Sequence, residues 1–157
     1  MMLPPRAEAV RLQLLEHGID REILRFPDGV HTAKAAAAAL GIEVGAIANS
    51  LIFWMSEAPL LVMTSGRHRV DTVALAEQLG AGAIERATPA QVREATGQVI
   101  GGVAPLGHPA RIRTIVDVAL RDYPELSAAA GTPETVFMLT YAELLRITGG
   151  EERVVGD

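Results

Sequence analysis

The sequence predicts an α+β fold, a single domain with a mixed β-sheet flanked by helices. The chain has 157 residues, of which 49% are hydrophobic and 21% are charged, and this suits one compact core. Helix-like and strand-like segments are interspersed along it, without an internal repeat or an obvious linker. Two pairs of strand-like segments are joined by tight turns, which argues against a purely parallel, doubly wound sheet. We therefore expect residues 1–157 to form one domain.

Helix signals and side-chain alternation define the elements of the first half of the chain. Thr32 is a good N-cap, because its hydroxyl can accept a hydrogen bond from a free backbone N–H group. Residues 47–55 alternate as a strand does, and residues 60–64 form a nearly continuous apolar run, typical of a central strand. The predicted elements are, in order, a helix at 6–17, a strand at 22–26, a helix at 33–40 and a hairpin of strands 47–55 and 60–64.

Capping residues and glycines define the second half. Thr88 and Thr140 each open a capping box, and Asp71 can cap a helix of its own. The glycine-rich segment at 100–107 cannot be helical. The predicted elements are, in order, a helix at 72–79, a strand at 83–86, a helix at 89–96, the glycine loop, a strand within 113–120, a strand pair at 126–130 and 135–139, a helix at 141–147 and an edge strand at Val154 and Val155.

The composition excludes several classes of function. The chain has no cysteine, which excludes disulfides, thiolate metal sites and a cysteine nucleophile. Its net charge of -5 argues against broad DNA binding, although it allows a protein that touches only one end of an RNA. There is no signal-like N-terminus and no apolar run of membrane-spanning length. We expect a soluble cytoplasmic protein with no DNA and no membrane partner.

The glycine loop is the most informative segment. Gly101, Gly102, Pro105 and Gly107 make a rigid turn with little side-chain cover, so that a ligand can approach backbone N–H groups closely. Such donors suit a carbonyl oxygen that becomes negative during acyl transfer. A tight structural turn is the alternative, since the loop is neither a Walker loop nor a dinucleotide fingerprint.

Asn49 is a polar residue on an otherwise apolar strand face, shared with Ile47 and Leu51. A buried amide without partners costs about 1–3 kcal/mol, so Asn49 must find a partner. It is either a structural residue bonded to a nearby loop or a polar group on the floor of a pocket. Ser50 points the opposite way, and we expect it to lie outside that pocket.

Two pairs of arginines and two histidines complete the candidates. Arg67 and Arg69, spaced by two, would lie on one side of an extended segment and could meet a phosphate, and Arg111 and Arg113 form a similar pair. The alternative for all four arginines is a solvated turn. The candidates for proton transfer near neutral pH are His31, next to Thr32, and His108, next to the glycine loop, although lone histidines are often structural.

Taken in order, these segments resemble the YbaK/prolyl-tRNA synthetase-associated editing domain family over about residues 30–148. The motifs that carry the resemblance are Ile47-Ala48-Asn49-Ser50-Leu51-Ile52-Phe53, Ser65-Gly66, Arg69-Val70-Asp71, Ile100-Gly101-Gly102-Val103, Pro105-Leu106-Gly107 and Ala129-Ala130-Gly131. The resemblance implies an α+β fold with a pocket near the glycine loop. It also implies hydrolysis of the ester that joins a wrong amino acid to the terminal ribose of a tRNA, typically tRNA(Pro).

The resemblance implies no metal and no cofactor. The expected partners are the acceptor end of an aminoacyl-tRNA and, as a second candidate, a prolyl-tRNA synthetase, and the edited amino acid is expected to be small. The candidate residues are Asn49, Gly101 and Gly102 for catalysis, then His31, Thr32, Ser65, Gly66, Pro105, Gly107, His108 and Gly131 for substrate binding, and Arg67, Arg69, Arg111 and Arg113 for RNA binding.

One departure from the family pattern leaves the activity open. Many relatives have a lysine at the position of Asn49, and Lys34, the sole lysine of this chain, does not match that position. Three hypotheses follow: a trans-acting deacylase, a catalytically weak or inactive member that binds aminoacyl-tRNA, and a small aminoacyl-ester hydrolase that needs no RNA.

Overall fold

The computed structural model of the protein describes residues 3–28 and 32–157. Its elements are α1 (Pro5–Glu16), β1 (Leu24–Arg25), α2 (Ala33–Leu40), β2 (Ala48–Met55), β3 (Ala58–Ser65), α3 (Thr72–Leu79), β4 (Ile84–Arg86), α4 (Pro89–Thr96), β5 (Arg113–Asp117), β6 (Leu126–Ala129), β7 (Thr135–Leu139), α5 (Tyr141–Thr148) and β8 (Glu151–Arg153). Short 3₁₀ turns lie at Val44–Ala46 and Val118–Asp122. None of the helices in these two ranges is long and apolar enough to cross a membrane.

The capping signals place the helix starts as predicted. The Thr32 hydroxyl accepts from the N–H of Ala35 at 3.0 Å and so begins α2. Both predicted capping boxes form, with Thr88 at the start of α4 and Thr140 at the start of α5. Asp71 caps α3 in the same way. These contacts satisfy N–H groups that the first turn of a helix leaves unpaired.

Two sheets make up the fold, and the α+β class with a mixed sheet is confirmed. The larger sheet has five strands in the order β4-β2-β3-β5-β8, with β2 antiparallel to both β3 and β4, and β5 parallel to both β3 and β8. The smaller sheet has three antiparallel strands in the order β1-β7-β6. The sequence predicted the hairpins β2–β3 and β6–β7, but it did not predict that the second hairpin forms a separate sheet with β1.

Three strand boundaries differ from the prediction. β1 contains two residues rather than five. β5 ends at Asp117, because its carboxylate accepts from the N–H of Ala119 at 3.0 Å and starts a 3₁₀ turn. The edge strand predicted at Val154 and Val155 is wrong. Glu151–Arg153 forms β8 instead, and Val155 is buried with Leu75 of α3 in the smaller core while its carbonyl accepts from Asp71 N–H at 2.7 Å.

The central strand β3 is buried on both faces, as its apolar run predicted. Leu61 and Met63 belong to the main core, which also contains residues of α1, β6 and β7. Leu60 and Val62 point the other way, into a smaller core with residues of α3 and β4. β3 therefore fixes the position of its neighbour β2 from both sides.

The two sheets meet at one point next to the start of β2. Ile47 forms an isolated parallel bridge with Ser127 of β6. Ala36 and Ala37 of α2 pack on Ile47 and close this junction from the outside. Beyond the bridge, β2 continues toward its pairing with β4, which begins at Phe53. The stretch between Ile47 and Phe53 therefore borders a gap between the two sheets.

Gly66, at the end of β3, controls how closely α2 approaches this junction. A Cβ at Gly66 would lie 2.4 Å from the carbonyl oxygen of Val44 and 2.9 Å from the Cβ of Ala33. We expect Gly66→Ala to destabilise the fold by about 1–3 kcal/mol, because backbone must move to admit the methyl group. Urea unfolding measures the loss.

Gly82 provides the matched control for Gly66. A Cβ there would meet nothing within 4 Å, and Gly82 is exposed. Gly82→Ala should leave the free energy of unfolding unchanged or raise it by about 0.4–1 kcal/mol, through the lower entropy of the unfolded chain. Equal effects of the two substitutions would contradict the close packing at Gly66.

Candidate functional site

A cavity of about 310 Å³ occupies the gap between the two sheets. β2 and β6 form its two long sides, while the start of α2, the end of β4, the start of α4 and the glycine loop close it. The described residues that line it are Thr32, Ala33, Ala36, Ile47, Ala48, Asn49, Ser50, Leu51, Ile52, Arg86, Ala87, Val92, Ile100, Gly101, Val103, Ser127, Ala128, Ala129, Pro133, Thr135 and Val136. Most of these side chains are small and apolar.

Asn49 lines this cavity, at the middle of its β2 side. It is half-buried, and its side-chain amide has no hydrogen-bond partner among the residues that the structure describes. Ser50 lines the same cavity, so the expectation that it lies elsewhere is wrong. The reason is that the cavity wraps around the edge of β2 and takes lining residues from both faces of the strand.

The glycine loop reaches the cavity through a tight turn. The N–H of Gly102 donates to the carbonyl of Val99 at 2.9 Å, and Gly101 has φ +87°, as the third residue of a type II turn requires. Gly101 and Val103 line the cavity, and no residue in the described ranges accepts from their N–H groups. These two N–H groups are therefore the loop's candidate donors.

Gly102 does not provide a free N–H group, contrary to the sequence prediction, because Val99 already accepts it. The absence of a side chain at Gly102 instead allows close packing of the backbone. A Cβ at Gly102 would lie 2.6 Å from the carbonyl carbon of Thr132 and 2.8 Å from the nitrogen of Pro133. Gly102 thus lets the glycine loop rest directly on the turn between β6 and β7, which lines the cavity's far end.

The sequence analysis missed Arg86, which is the one charged side chain among the described lining residues. It ends β4, pairs with Phe53 of β2 and places its guanidinium 5.7 Å from the centre of that aromatic ring. Arg86 is exposed, and no carboxylate within the described part of the chain pairs with it. Only the pairing of β4 with β2 brings Arg86 to the cavity, and nothing in the local sequence signals it.

Ser127 was also missed. Its side chain lines the cavity although the residue is only 1% exposed. Within the described ranges no hydrogen-bond partner reaches its hydroxyl. Because no buried side-chain polar atom of the described residues lacks a partner, the Ser127 hydroxyl is not fully buried but borders the cavity, next to the junction between the sheets.

Several predicted substrate-binding residues lie outside the cavity. The Ser65 hydroxyl is fully buried and donates to the carbonyl of Gly45 at 2.7 Å, and Gly66 packs against α2. Gly131 turns between β6 and β7 with φ +101°, against the backbone of Arg6. These residues support the walls of the cavity from behind, whereas Thr32 lies on its rim.

The far end of the glycine loop also lies away from the cavity. Gly107 and His108 line a separate shallow depression beside α1, and Pro105 lines neither the cavity nor this depression. The Nε2 of His108 is 2.8 Å from the carbonyl of Ala104 and must donate to it, because a carbonyl only accepts. Burial lowers the pKa of His108 below its usual value, and the hydrogen bond to Ala104 offsets part of this. His108 thus acts as a neutral anchor for the loop.

The four predicted RNA-binding arginines do not form one patch. Arg67 contacts Asp122 at 3.1 Å and lies over Tyr123, close to the end of β3. Arg113 forms two hydrogen bonds with Glu151, of 2.7 and 3.0 Å, and pairs with Leu60 at the start of β3. The two arginines therefore lie at opposite ends of the larger sheet.

The other two arginines, Arg69 and Arg111, are exposed, and neither lines the cavity. No carboxylate in the described ranges forms a salt bridge with either of them. The remaining candidate, His31, falls outside the described residues.

A buried carboxylate holds the strand ends behind the cavity. Asp117 is 1% exposed, and its Oδ2 accepts from the N–H of Ser65 at 3.0 Å and contacts His68 Nδ1 at 2.9 Å. The Thr64 hydroxyl lies 3.5 Å from the same oxygen. Because Thr64 pairs with Asn49 across β2 and β3, this cluster fixes the strand position from which Asn49 projects.

Comparison with known sequences assigns a protein with this fold and cavity to a family. Residues 27–147 match the family model of the aminoacyl-tRNA editing domain. The chain belongs to this family, whose YbaK branch the sequence motifs indicated.

The chain is similar over most of its length to a relative of comparable size, and over part of its length to a segment of a much longer enzyme. It is similar to the uncharacterized protein YwhH of Bacillus subtilis, with 27% identity over 87% of both chains. It is also 31% identical over 59% of its length to the proline–tRNA ligase of Nitratidesulfovibrio vulgaris, but it spans only 16% of that enzyme. A crystal structure of a proposed trans-editing enzyme for prolyl tRNA synthetase superposes with a TM-score of 0.92, at 37% identity over 99% of both chains.

His108 predicts a pH dependence of stability. Because its pKa is lowered in the folded state, the unfolded chain binds more protons as the pH falls through about 6.5, so the stability contribution is full above that pH and is lost below it. Urea unfolding at pH 7.5 and pH 5 should show a larger loss for the parent protein than for His108→Gln. His17→Gln, at an exposed histidine, is the control and should behave as the parent does.

Proposed function

We propose that this protein is a trans-acting aminoacyl-tRNA deacylase, which hydrolyses the ester between a small wrong amino acid and the terminal ribose of tRNA(Pro). The observation that carries the proposal is the cavity itself. Most of its lining side chains are small and apolar, and the backbone N–H groups of two lining residues on the tight glycine turn, Gly101 and Val103, have no partners in the described structure. Such donors stabilise an ester carbonyl oxygen as it becomes an oxyanion.

The size of the cavity favours a small amino acid. Its inner wall consists largely of Ala48, Ala87, Val92 and Ala128, all of which are buried. A volume of about 310 Å³ must hold part of the terminal nucleoside as well as the amino acid. A small side chain, such as that of Ala, Ser, Thr or Cys, fits the space that remains.

The lining chemistry favours a mechanism in which the substrate assists its own hydrolysis. Among the described residues, no side chain that titrates near neutral pH lines the cavity. The free hydroxyl beside the ester on the terminal ribose is then the group that orients or deprotonates the attacking water. The water oxygen bonds to the ester carbon, the carbon–oxygen bond to the ribose breaks, and a proton from the water passes to the released ribose oxygen, which becomes a hydroxyl. Gly101 N–H donates to the oxyanion in between.

Asn49 and Arg86 share the roles that a single lysine has in many relatives. The Asn49 amide is neutral, and it can donate to the ester carbonyl or to a ribose hydroxyl and align the ester for attack. Arg86 supplies a positive charge at the cavity, and it can bind the phosphate of the terminal nucleotide. The net charge of -5 supports an RNA contact limited to the acceptor end.

The absence of a lysine at position 49 also supports a second candidate, a member that binds aminoacyl-tRNA without turning it over. The two functions differ in one measurement, release of the amino acid from a panel of mischarged tRNAs. Turnover by the parent protein supports the deacylase. No turnover on any mischarged tRNA, together with tight binding of the charged tRNA, would mean that the second candidate is correct.

We expect Asn49→Ala to lower kcat/KM for deacylation by roughly 10-fold, since it removes a hydrogen bond worth about 1–1.5 kcal/mol in the transition state. Asn49→Lys restores a cation at the strand and should retain activity. If Asn49→Lys instead creates turnover where the parent has none, the natural protein is a binder. Circular dichroism of each variant checks that the fold is intact.

Arg86→Gln should weaken tRNA binding by about 5- to 10-fold and reduce the slope of log affinity against log salt by roughly one. Arg93→Gln is the matched control, because Arg93 is an exposed arginine of α4 that does not line the cavity. Equal effects of the two substitutions would contradict a specific role for Arg86. A hydrolysis rate that salt does not change would favour an ester hydrolase without RNA.

A further inference from the structure

The edge of β2 that faces the cavity carries backbone groups of alternate residues. The N–H of Gly66 donates to Ile47 O at 2.8 Å, so Ile47 and Gly66 form a hydrogen-bonded pair of the β2–β3 ladder. Such pairs alternate in an antiparallel ladder, so Asn49 also directs its backbone groups to β3, and Ser50 directs its own to the cavity. The N–H of Ala87 donates to Ile52 O at 3.1 Å, which confirms the alternation.

The edge of β6 is arranged in the same way. Ala130 N–H donates to Thr135 O at 3.0 Å, so Ala128, two residues earlier, also pairs with β7. Ser127 and Ala129 therefore direct their N–H and carbonyl groups away from β7, toward β2. The bridge between Ser127 and Ile47 shows that this edge does face β2.

The two edges start a parallel ladder and then separate. With Ser127 bridged to Ile47, the next hydrogen bonds of a parallel ladder would join Ala129 to Ala48 and to Ser50. That step does not form between these described strands, and the cavity lies there instead. No further pairing of β2 with β6 follows the bridge in the described ranges, so the ladder bonds from Ala129 N–H to Ala48 O and from Ser50 N–H to Ala129 O are absent. Two strand edges thus face each other across a gap, and each has backbone N–H and carbonyl groups that this ladder leaves without a partner.

We propose that these edges bind the α-amino acyl group of the substrate as an inserted piece of main chain. The α-ammonium donates to the carbonyls of Ala48 and Ala129, and the N–H of Ser50 is left for a carbonyl oxygen of the ligand. This inference rests on the proposed function, and it names the group that the site selects, which is an acyl group with a free α-ammonium.

The surroundings favour an ammonium bound by carbonyls. No carboxylate lines the cavity among the described residues, so the partial charges of carbonyl oxygens are the acceptors for a cation. The nearby side chains of Ile52, Ala128 and Val136 are apolar, and an unpaired carbonyl among them is costly. An ammonium that reaches both edges satisfies them together.

The experiment compares two ligands that differ in one group. The first is 3′-amino-3′-deoxyadenosine acylated with alanine, and the second is the same nucleoside acylated with lactic acid, in which a hydroxyl replaces the ammonium. Both carry an amide in place of the ester and contain no further RNA. Calorimetric titration of the full chain should show the lactyl ligand binding about 10- to 100-fold more weakly, as expected for the loss of charged hydrogen bonds.

Hydrogen exchange of single amides gives the second readout. In the free protein, the amide of Ser50 should exchange faster than those of Asn49 and Leu51, because only the last two pair with β3. Saturation with the alanyl ligand should slow exchange of the Ser50 amide by at least about 10-fold and leave Asn49 and Leu51 nearly unchanged. Protection of Ser50 in the free protein, or no change on binding, would overturn the proposal.

A side-chain control separates the strand edges from the Ser127 hydroxyl. Ser127→Ala removes that hydroxyl but keeps the backbone, so the ratio of the alanyl and lactyl affinities should stay the same. A ratio that falls to one in this variant would assign the ammonium to Ser127 and overturn the proposal.

The outcomes also separate this inference from the proposed function. Equal affinity for the two ligands, or no binding of either, overturns the role of the strand edges. Deacylation of mischarged tRNA is measured independently and can succeed in that case. Selective binding of the alanyl ligand without any turnover supports the strand edges and counts against the deacylase.

Discussion

The separation of β2 from β6 just beyond the bridge between Ile47 and Ser127 is the constraint on which the site depends. If the parallel ladder continued, the two sheets would merge and leave no cavity. Instead β2 turns toward β4, where Phe53 meets Arg86, while β6 stays with β7. The cavity, its apolar wall and its unpaired backbone groups all follow from this divergence.

Residues far from the ligand keep the two sheets in this arrangement. Asp117 joins the ends of β3 and β5 through the N–H of Ser65 and the ring of His68. Gly66 and Gly102 allow close contacts that a methyl group would prevent, the first with Val44 and Ala33 and the second with the turn between β6 and β7. Many of the family's motif residues in this chain therefore support the geometry of the site.

The sequence predicted the elements better than the site, for a physical reason. Capping by Thr88 and the apolar run of β3 are local signals, and both elements form as predicted. Arg86 and Ser127 reach the cavity only through pairing between strands distant in sequence, which no local pattern encodes. Ser50 was misplaced because alternation describes the two faces of a strand, whereas this cavity lies at an edge. The roles of the remaining candidates stay predictions.

Unpaired strand edges usually carry a risk, since they offer a template on which another chain can add a strand and aggregate. Here both edges face inward across the cavity, and the exposed cation of Arg86 also lines it. The protein can thus keep two unpaired strand edges available to a ligand without exposing them to other molecules of the same protein. Substitutions that loosen the contact between Ile47 and Ser127 would disturb both edges together, so colloidal stability and ligand binding are tied to the same junction.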